Sequence, residues 1–113
     1  MEFRKQKPIY LQIADRLMEQ ILSGEYAAED RVPSVRDVAE AMGVNPNTVM
    51  RTFEFLQGEE IIYNRRGVGY FVSPDAKQKI LAEQRREFLE EELPLIKQKM
   101  KVLGIDIKAV MSD

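Results

Sequence analysis

The sequence predicts a mainly α fold with one small β-hairpin, followed by a short helical tail. Three observations carry that reading. Ile9, Ile13, Leu17 and Ile21 recur every four residues, the period of one helix face. Ile61-Ile62-Tyr63 and Gly69-Tyr70-Phe71-Val72 are short runs rich in β-branched and aromatic residues, with a glycine-containing turn between them. Leu89, Leu93, Ile96, Met100 and Leu103 step by 4, 3, 4 and 3, the spacing of a coiled-coil seam.

The elements follow in order. Pro8 suits the first position of the first helix, since its missing N–H would have no partner there. Tyr10, Leu11 and Leu22 widen the apolar stripe, and Ser23-Gly24 stops it. Residues 25–33 carry no period and end on Val32-Pro33, which reads as a loop. Ser34-Val35-Arg36-Asp37 is a capping box in its acidic form. It opens a short helix with Val38, Ala39 and Met42 inward, ending at Gly43. Asn45 then caps a third helix, with Pro46 as its first residue. At 100° per residue, Val49, Phe53 and Leu56 fall within about 60° of one another and form its buried face. Asn47, Thr48, Arg51, Glu54 and Phe55 lie opposite, with Met50 to the side. Gly58 ends this helix. The turn Asn64-Arg65-Arg66-Gly67-Val68 then places two adjacent cations at a hairpin tip. Three helices and a two-stranded hairpin in this order make a winged helix-turn-helix, assigned to residues 1–74.

Ser73-Pro74-Asp75 breaks the pattern, and residues 75–113 read as a helical tail. Pro94 should kink it or split it in two. Gly104 with Ile105 reads as a helix C-terminus, and Asp106 as the cap of a last turn carrying Ile107, Val110 and Met111. The seam of Leu89, Leu93, Ile96, Met100 and Leu103, closed by Ile107 and Val110, is too apolar to stay uncovered. Dimerisation through a second copy is the expectation; folding back on the helix of Ile13 and Leu17 is the alternative.

Composition narrows the function. The chain of 113 residues has no His and no Cys. Without His it lacks the usual general base near neutral pH and the commonest metal ligand. Triads built on His and zinc sites of the His/Cys type are excluded. No catalytic residue, metal or cofactor is therefore expected, and the run Glu90-Glu91-Glu92 reads as a solvated helix face. No apolar run reaches the length of a membrane span, and Met1–Lys7 does not resemble a secretory signal, so no membrane partner and a cytoplasmic location are expected. The net charge is −2, and residues 1–73 hold 9 Lys/Arg against 11 Asp/Glu. A basic face must come from local arrangement.

That arrangement is present in the pattern. Asn and Thr are poor helix formers, and a merely solvated face has no need of them in the first turn. In a helix-turn-helix the second helix of the pair enters the major groove of double-stranded DNA. There Asn47 suits adenine, Arg51 suits guanine or phosphate, and Thr48 suits the backbone or a thymine methyl. Ser34 and Asn45 stand at helix N-termini, where free N–H groups favour phosphate. Arg36 would meet the backbone or groove edge, and Arg65 and Arg66 the flanking minor groove or phosphate.

Val32-Pro33-Ser34-Val35-Arg36-Asp37-Val38-Ala39, Gly43-Val44-Asn45-Pro46-Asn47-Thr48-Val49 and Arg66-Gly67-Val68-Gly69-Tyr70-Phe71-Val72 together resemble the GntR family of bacterial transcription regulators. The likeness covers residues 8–73. The Asn-Pro-Asn-Thr-Val form and the short tail look like the family's YtrA-like branch, whose tail serves dimerisation. The resemblance implies that Arg36, Asn47, Thr48 and the Arg66-Gly67 tip contact operator DNA. It implies a homodimeric regulator, with repression the expected mode and a palindrome the expected operator; it names no small-molecule effector. Two positions depart from the family pattern. Met50 stands where many members have Arg, with the cation one residue later at Arg51. Glu29 stands where Gly is common. The competing reading is a winged-helix protein–protein interaction module, which the acidic net charge favours slightly.

Overall fold

The computed structural model describes residues 7–112. They form two compact units, one running to Leu81 and the other starting at Ala82.

In the first unit, α1 (Ile9–Leu22), α2 (Val35–Met42) and α3 (Pro46–Gly58) precede a hairpin of β1 (Ile62–Arg65) and β2 (Gly69–Val72). α4 (Ala76–Glu87) follows. The antiparallel register pairs Ile62 with Val72, Tyr63 with Phe71, Asn64 with Tyr70 and Arg65 with Gly69. The core joins Ile13, Leu17 and Ile21 of α1, Val38 and Ala39 of α2, and Val49, Phe53 and Leu56 of α3 to Ile61, Ile62 and Val72. Ala76 and Ile80, each 1% exposed, complete it, so this unit extends into α4.

α1 and α3 are joined by a polar contact as well as by packing. Thr52, fully buried, donates its hydroxyl to the carbonyl of Tyr10 at 2.7 Å. The helical period placed Val49, Phe53 and Leu56 inward, and all three are fully buried. It did not find Thr52, which lies on the flank of the same face.

The caps form as the sequence indicates. Ser34 Oγ accepts from the Asp37 N–H at 3.0 Å and Asp37 Oδ2 accepts from the Ser34 N–H. Asn45 Oδ1 accepts from the Asn47 N–H at 2.8 Å. Several local expectations need correction. Pro8 precedes α1 as its cap and is not its first helical residue. Ile9 heads the stripe but is 53% exposed, because the stripe overruns the end of the core. Met42, the last residue of α2, is 37% exposed, because the helix has run past the core that buries Val38 and Ala39. Gly58 ends α3 as expected, and the left-handed residue that turns the chain toward β1 is Glu60 (φ 61). The Glu60 carboxylate also pairs with Lys79 at 2.9 Å, a bond that raises the Lys79 pKa.

Residues 29–32 are more than a loop. The Glu29 N–H donates to Val72, the Val72 N–H to Asp30, and the Val32 N–H to Tyr70. They form a short third edge on β2, too short to carry a readable alternation. Glu29 begins it in the left-handed region, at φ 72. Its carboxylate accepts a bond from the Tyr63 hydroxyl at 3.3 Å. Burial first, and then the Glu29 charge, push the Tyr63 phenol pKa up.

In the second unit, five residues, Phe88–Glu92, wind as a π-turn before α5 (Leu93–Leu103). Pro94 sits in the first turn of α5, where its missing N–H costs little. The wide turn takes up the proline that was expected to kink or split the helix. Gly104 (φ 70) ends α5, with the Ile105 N–H bonded to Met100 at 2.9 Å. Asp106 caps α6 (Ile107–Met111) through the Lys108 N–H. Arg86 is ion-paired with Glu83, Glu90 and Glu91; the hydrogen bonds to Glu83 and then Glu91 raise its pKa.

Glycine takes φ 72 without the steric cost that a side chain meets there. Glu29→Gly should therefore raise stability by ~0.5–1 kcal/mol, after the greater freedom of glycine in the unfolded chain is subtracted. The urea midpoint reads this directly; a lower midpoint would mean that the Tyr63–Glu29 bond outweighs the strain.

Candidate nucleic-acid interface

The outer face of α3 is polar and exposed. Asn45, Asn47 and Arg51 are exposed, and Thr48 is half-buried. The Asn45 side-chain oxygen is occupied by the cap, while no described side-chain bond engages the Asn47 amide. The departure of α3 from family habit involves two neighbours with different surroundings. Met50 is 39% exposed, whereas the Arg51 guanidinium carbon lies 4.3 Å from the centre of the Tyr10 ring. Phe55, anomalous on an outward face, packs edge-on against the same ring at 6.5 Å between centroids.

Arg36 is exposed in the first turn of α2, beside the closed Ser34–Asp37 box. Asp37 already supplies a carboxylate to that N-terminus, so the free anion-binding capacity there is smaller than the sequence suggested.

The hairpin separates the two adjacent arginines. Arg65 belongs to β1, with its guanidinium carbon 5.1 Å from the Phe71 ring centre. Arg66 and Gly67 (φ 77) make the turn, closed by the Val68 N–H on the Arg65 carbonyl at 2.8 Å. Arg66 alone is therefore at the tip.

One cation escaped the sequence reading. Arg31, on the short third edge, pairs with Phe71 through its backbone, and its guanidinium lies against Gly69. A Cβ on Gly69 would come within 2.9 Å of Arg31 Nε. The Gly69 in the hairpin was the only available signal, and it names no partner. Among the described residues, Arg31, Arg36, Arg51, Arg65 and Arg66 have no carboxylate at ion-pair distance, unlike Lys7 and Lys79 of the same unit. A chain of net charge −2 thus keeps these five guanidinium groups available.

The sequence pattern of the bacterial regulatory proteins of the gntR family matches residues 9–72. The chain belongs to the GntR family. It is thus a DNA-binding transcriptional regulator of winged helix-turn-helix fold, and not an enzyme. Among GntR relatives, the HTH-type transcriptional regulator YhcF of Bacillus subtilis is 38% identical over 92% of this chain and 84% of its own. The HTH-type transcriptional repressor YtrA of the same organism is 36% identical, over 91% of this chain and 73% of its own. The crystal structure of a GntR-family regulator from Bacteroides thetaiotaomicron superposes with a TM-score of 0.79 at 48% identity, over 91% of this chain and 89% of that one. These likenesses place the protein with the YtrA-like members of the GntR family. Among the described residues no helix is long and apolar enough to cross a membrane, and no group of His, Cys, Asp and Glu could hold a metal ion.

Gly69 takes φ 143 and also makes room for Arg31, two constraints that one experiment separates. Gly69→Ala should lose ~1–3 kcal/mol of stability by urea unfolding. In an Arg31→Ala background the steric contact is gone while the backbone constraint stays, so most of the loss should persist. Full recovery there would assign the glycine to Arg31 alone.

Proposed function

We propose that this regulator represses transcription as a homodimer on a palindromic operator, from the cytoplasm. The observation that carries the DNA reading is the polar outer face of α3 with Asn47, Thr48 and Arg51, in a unit whose Arg31, Arg36, Arg51, Arg65 and Arg66 have no carboxylate partner among the described residues. In this reading Asn47 and Arg51 read base edges and Thr48 meets backbone or a thymine methyl. Ser34, Arg36 and Asn45 face phosphate from the helix N-termini, and Arg66 and Gly67 meet the flanking groove with Arg65 behind them. The printed name of YtrA, a repressor, supports the mode of action.

Dimerisation follows from specificity. One helix-turn-helix covers too few base pairs to stand out from random DNA. Two copies on half-sites about one turn apart, ~34–36 Å, roughly double the recognition free energy. The tail supports this role. Leu89, Leu103 and Val110 are 58%, 61% and 62% exposed, Leu93, Ile96 and Met100 are half-buried, and Ile107 is 36% exposed. In a single copy Leu89, Leu103 and Val110 thus remain largely exposed.

The test begins with sites selected from random duplex DNA, titrated against mixed competitor over a range of salt. Asn47→Ala and Arg51→Ala should each cost ~1–3 kcal/mol of specific binding while the urea midpoint stays put. Unchanged operator affinity in both would remove the assigned face. For assembly, sedimentation should find the intact chain as a dimer. Leu93→Asp/Ile96→Asp should be a folded monomer that binds a palindrome weakly. An intact chain that is monomeric at micromolar concentration yet binds two half-sites tightly would overturn the dimer mechanism.

A further inference from the structure

We propose that Tyr10 is a positioning residue for Arg51, and that operator affinity depends on Tyr10 through that guanidinium. The inference rests on the DNA-contacting role given to Arg51 above, and deepens it.

The Arg51 guanidinium carbon lies 4.3 Å from the Tyr10 ring centre. An arginine on a helix surface samples many rotamers and loses that freedom when it binds. Stacking on a ring removes part of that freedom beforehand. A ring accepts no conventional hydrogen bond from the guanidinium in the way a carboxylate does, so N–H donors directed away from the ring stay free for a base edge or a phosphate. A carboxylate would hold the arginine as well, but it would consume those donors and repel an approaching phosphate. Among the described residues Arg51 has no such carboxylate, so the ring holds the cation without cancelling its charge.

Tyr10 is itself fixed from α3. Its carbonyl accepts the Thr52 hydroxyl at 2.7 Å, from the residue next to Arg51. Phe55, one turn further along α3, meets the edge of its ring at an interplanar angle of 77°. The start of α1 and α3 are thus tied by three contacts at Tyr10, two on its ring and one on its carbonyl.

The experiment measures binding of the full chain to a selected operator duplex by fluorescence anisotropy, with a urea midpoint for every variant. Tyr10→Leu should weaken binding about 3- to 10-fold, the range expected for a lost cation–π contact. Tyr10→Phe keeps the ring and should match wild type. Phe55→Leu removes one of the contacts that hold the ring but leaves the stack, and should fall between wild type and Tyr10→Leu; a loss larger than that of Tyr10→Leu would count against the inference. In an Arg51→Ala background, Tyr10→Leu should have no further effect. If Tyr10→Leu does not fold, Tyr10→Met supplies similar bulk without a π face and takes its place. Wild-type affinity in Tyr10→Leu, or the same loss with and without Arg51, would overturn the inference while leaving DNA binding intact. A Tyr10→Phe loss equal to that of Tyr10→Leu would also overturn it, by assigning the effect to the hydroxyl. Absence of sequence-specific binding by wild type would instead overturn the functional reading, and this inference with it.

Discussion

The hydroxyl of Thr52 is the contact on which the rest of this structure turns. It is fully buried and donates to the Tyr10 carbonyl at 2.7 Å. A buried hydroxyl without a partner is costly, so α3 cannot rotate far about its axis without breaking this bond. Val49, Phe53 and Leu56 favour the same rotation through apolar burial, which is strong but tolerant of small shifts. The hydrogen bond is directional and removes that tolerance. Everything on the outer face of α3 inherits its direction from this pairing. Asn47 and Arg51 are exposed because Thr52 and Phe53 are not.

Charge is organised on the same local scale. The chain carries 19 acidic residues against 17 basic ones, which argues against a broadly basic nucleic-acid binder. In the first unit, however, Glu29 serves a turn and a tyrosine, Asp37 a cap, and Glu60 a lysine of α4. The carboxylates bind groups other than the arginines. Two of those arginines lie over aromatic rings, Arg51 on Tyr10 and Arg65 on Phe71, which hold a cation without neutralising it. An acidic protein can in this way present a basic surface.

Among the described residues, the two non-glycine positions with a left-handed backbone both border the hairpin. Glu29 and Glu60 take left-handed backbone conformations, and Gly69 adopts φ 143 beneath Arg31. Glu29 starts the short third edge on β2, Glu60 turns the chain from α3 into β1, and Gly69 opens β2. A two-stranded hairpin is marginal alone, and the added edge and its packing on α3 stabilise it. The left-handed turns bring the chain into that pairing. They are the local cost of a wing held in one place.

Much of the fold was legible because its signals are local. The 3.6-residue period, the Ser34–Asp37 and Asn45 caps, the Gly104 stop and the β-branched pairs each depend on neighbours a few residues away. Those signals were enough to place the helices and the hairpin, and to pick out Asn47, Thr48 and Arg51 as an outward set. They misjudged positions where an element outruns the core, such as Ile9 and Met42. What the tertiary structure alone decided are the contacts between residues distant in sequence: Thr52 with Tyr10, Arg51 over the Tyr10 ring, and Arg31 against Gly69. No period or cap encodes such pairs. They exist only once burial of the shared core has brought α1, α3 and the hairpin together, and they determine how the outward side chains are held.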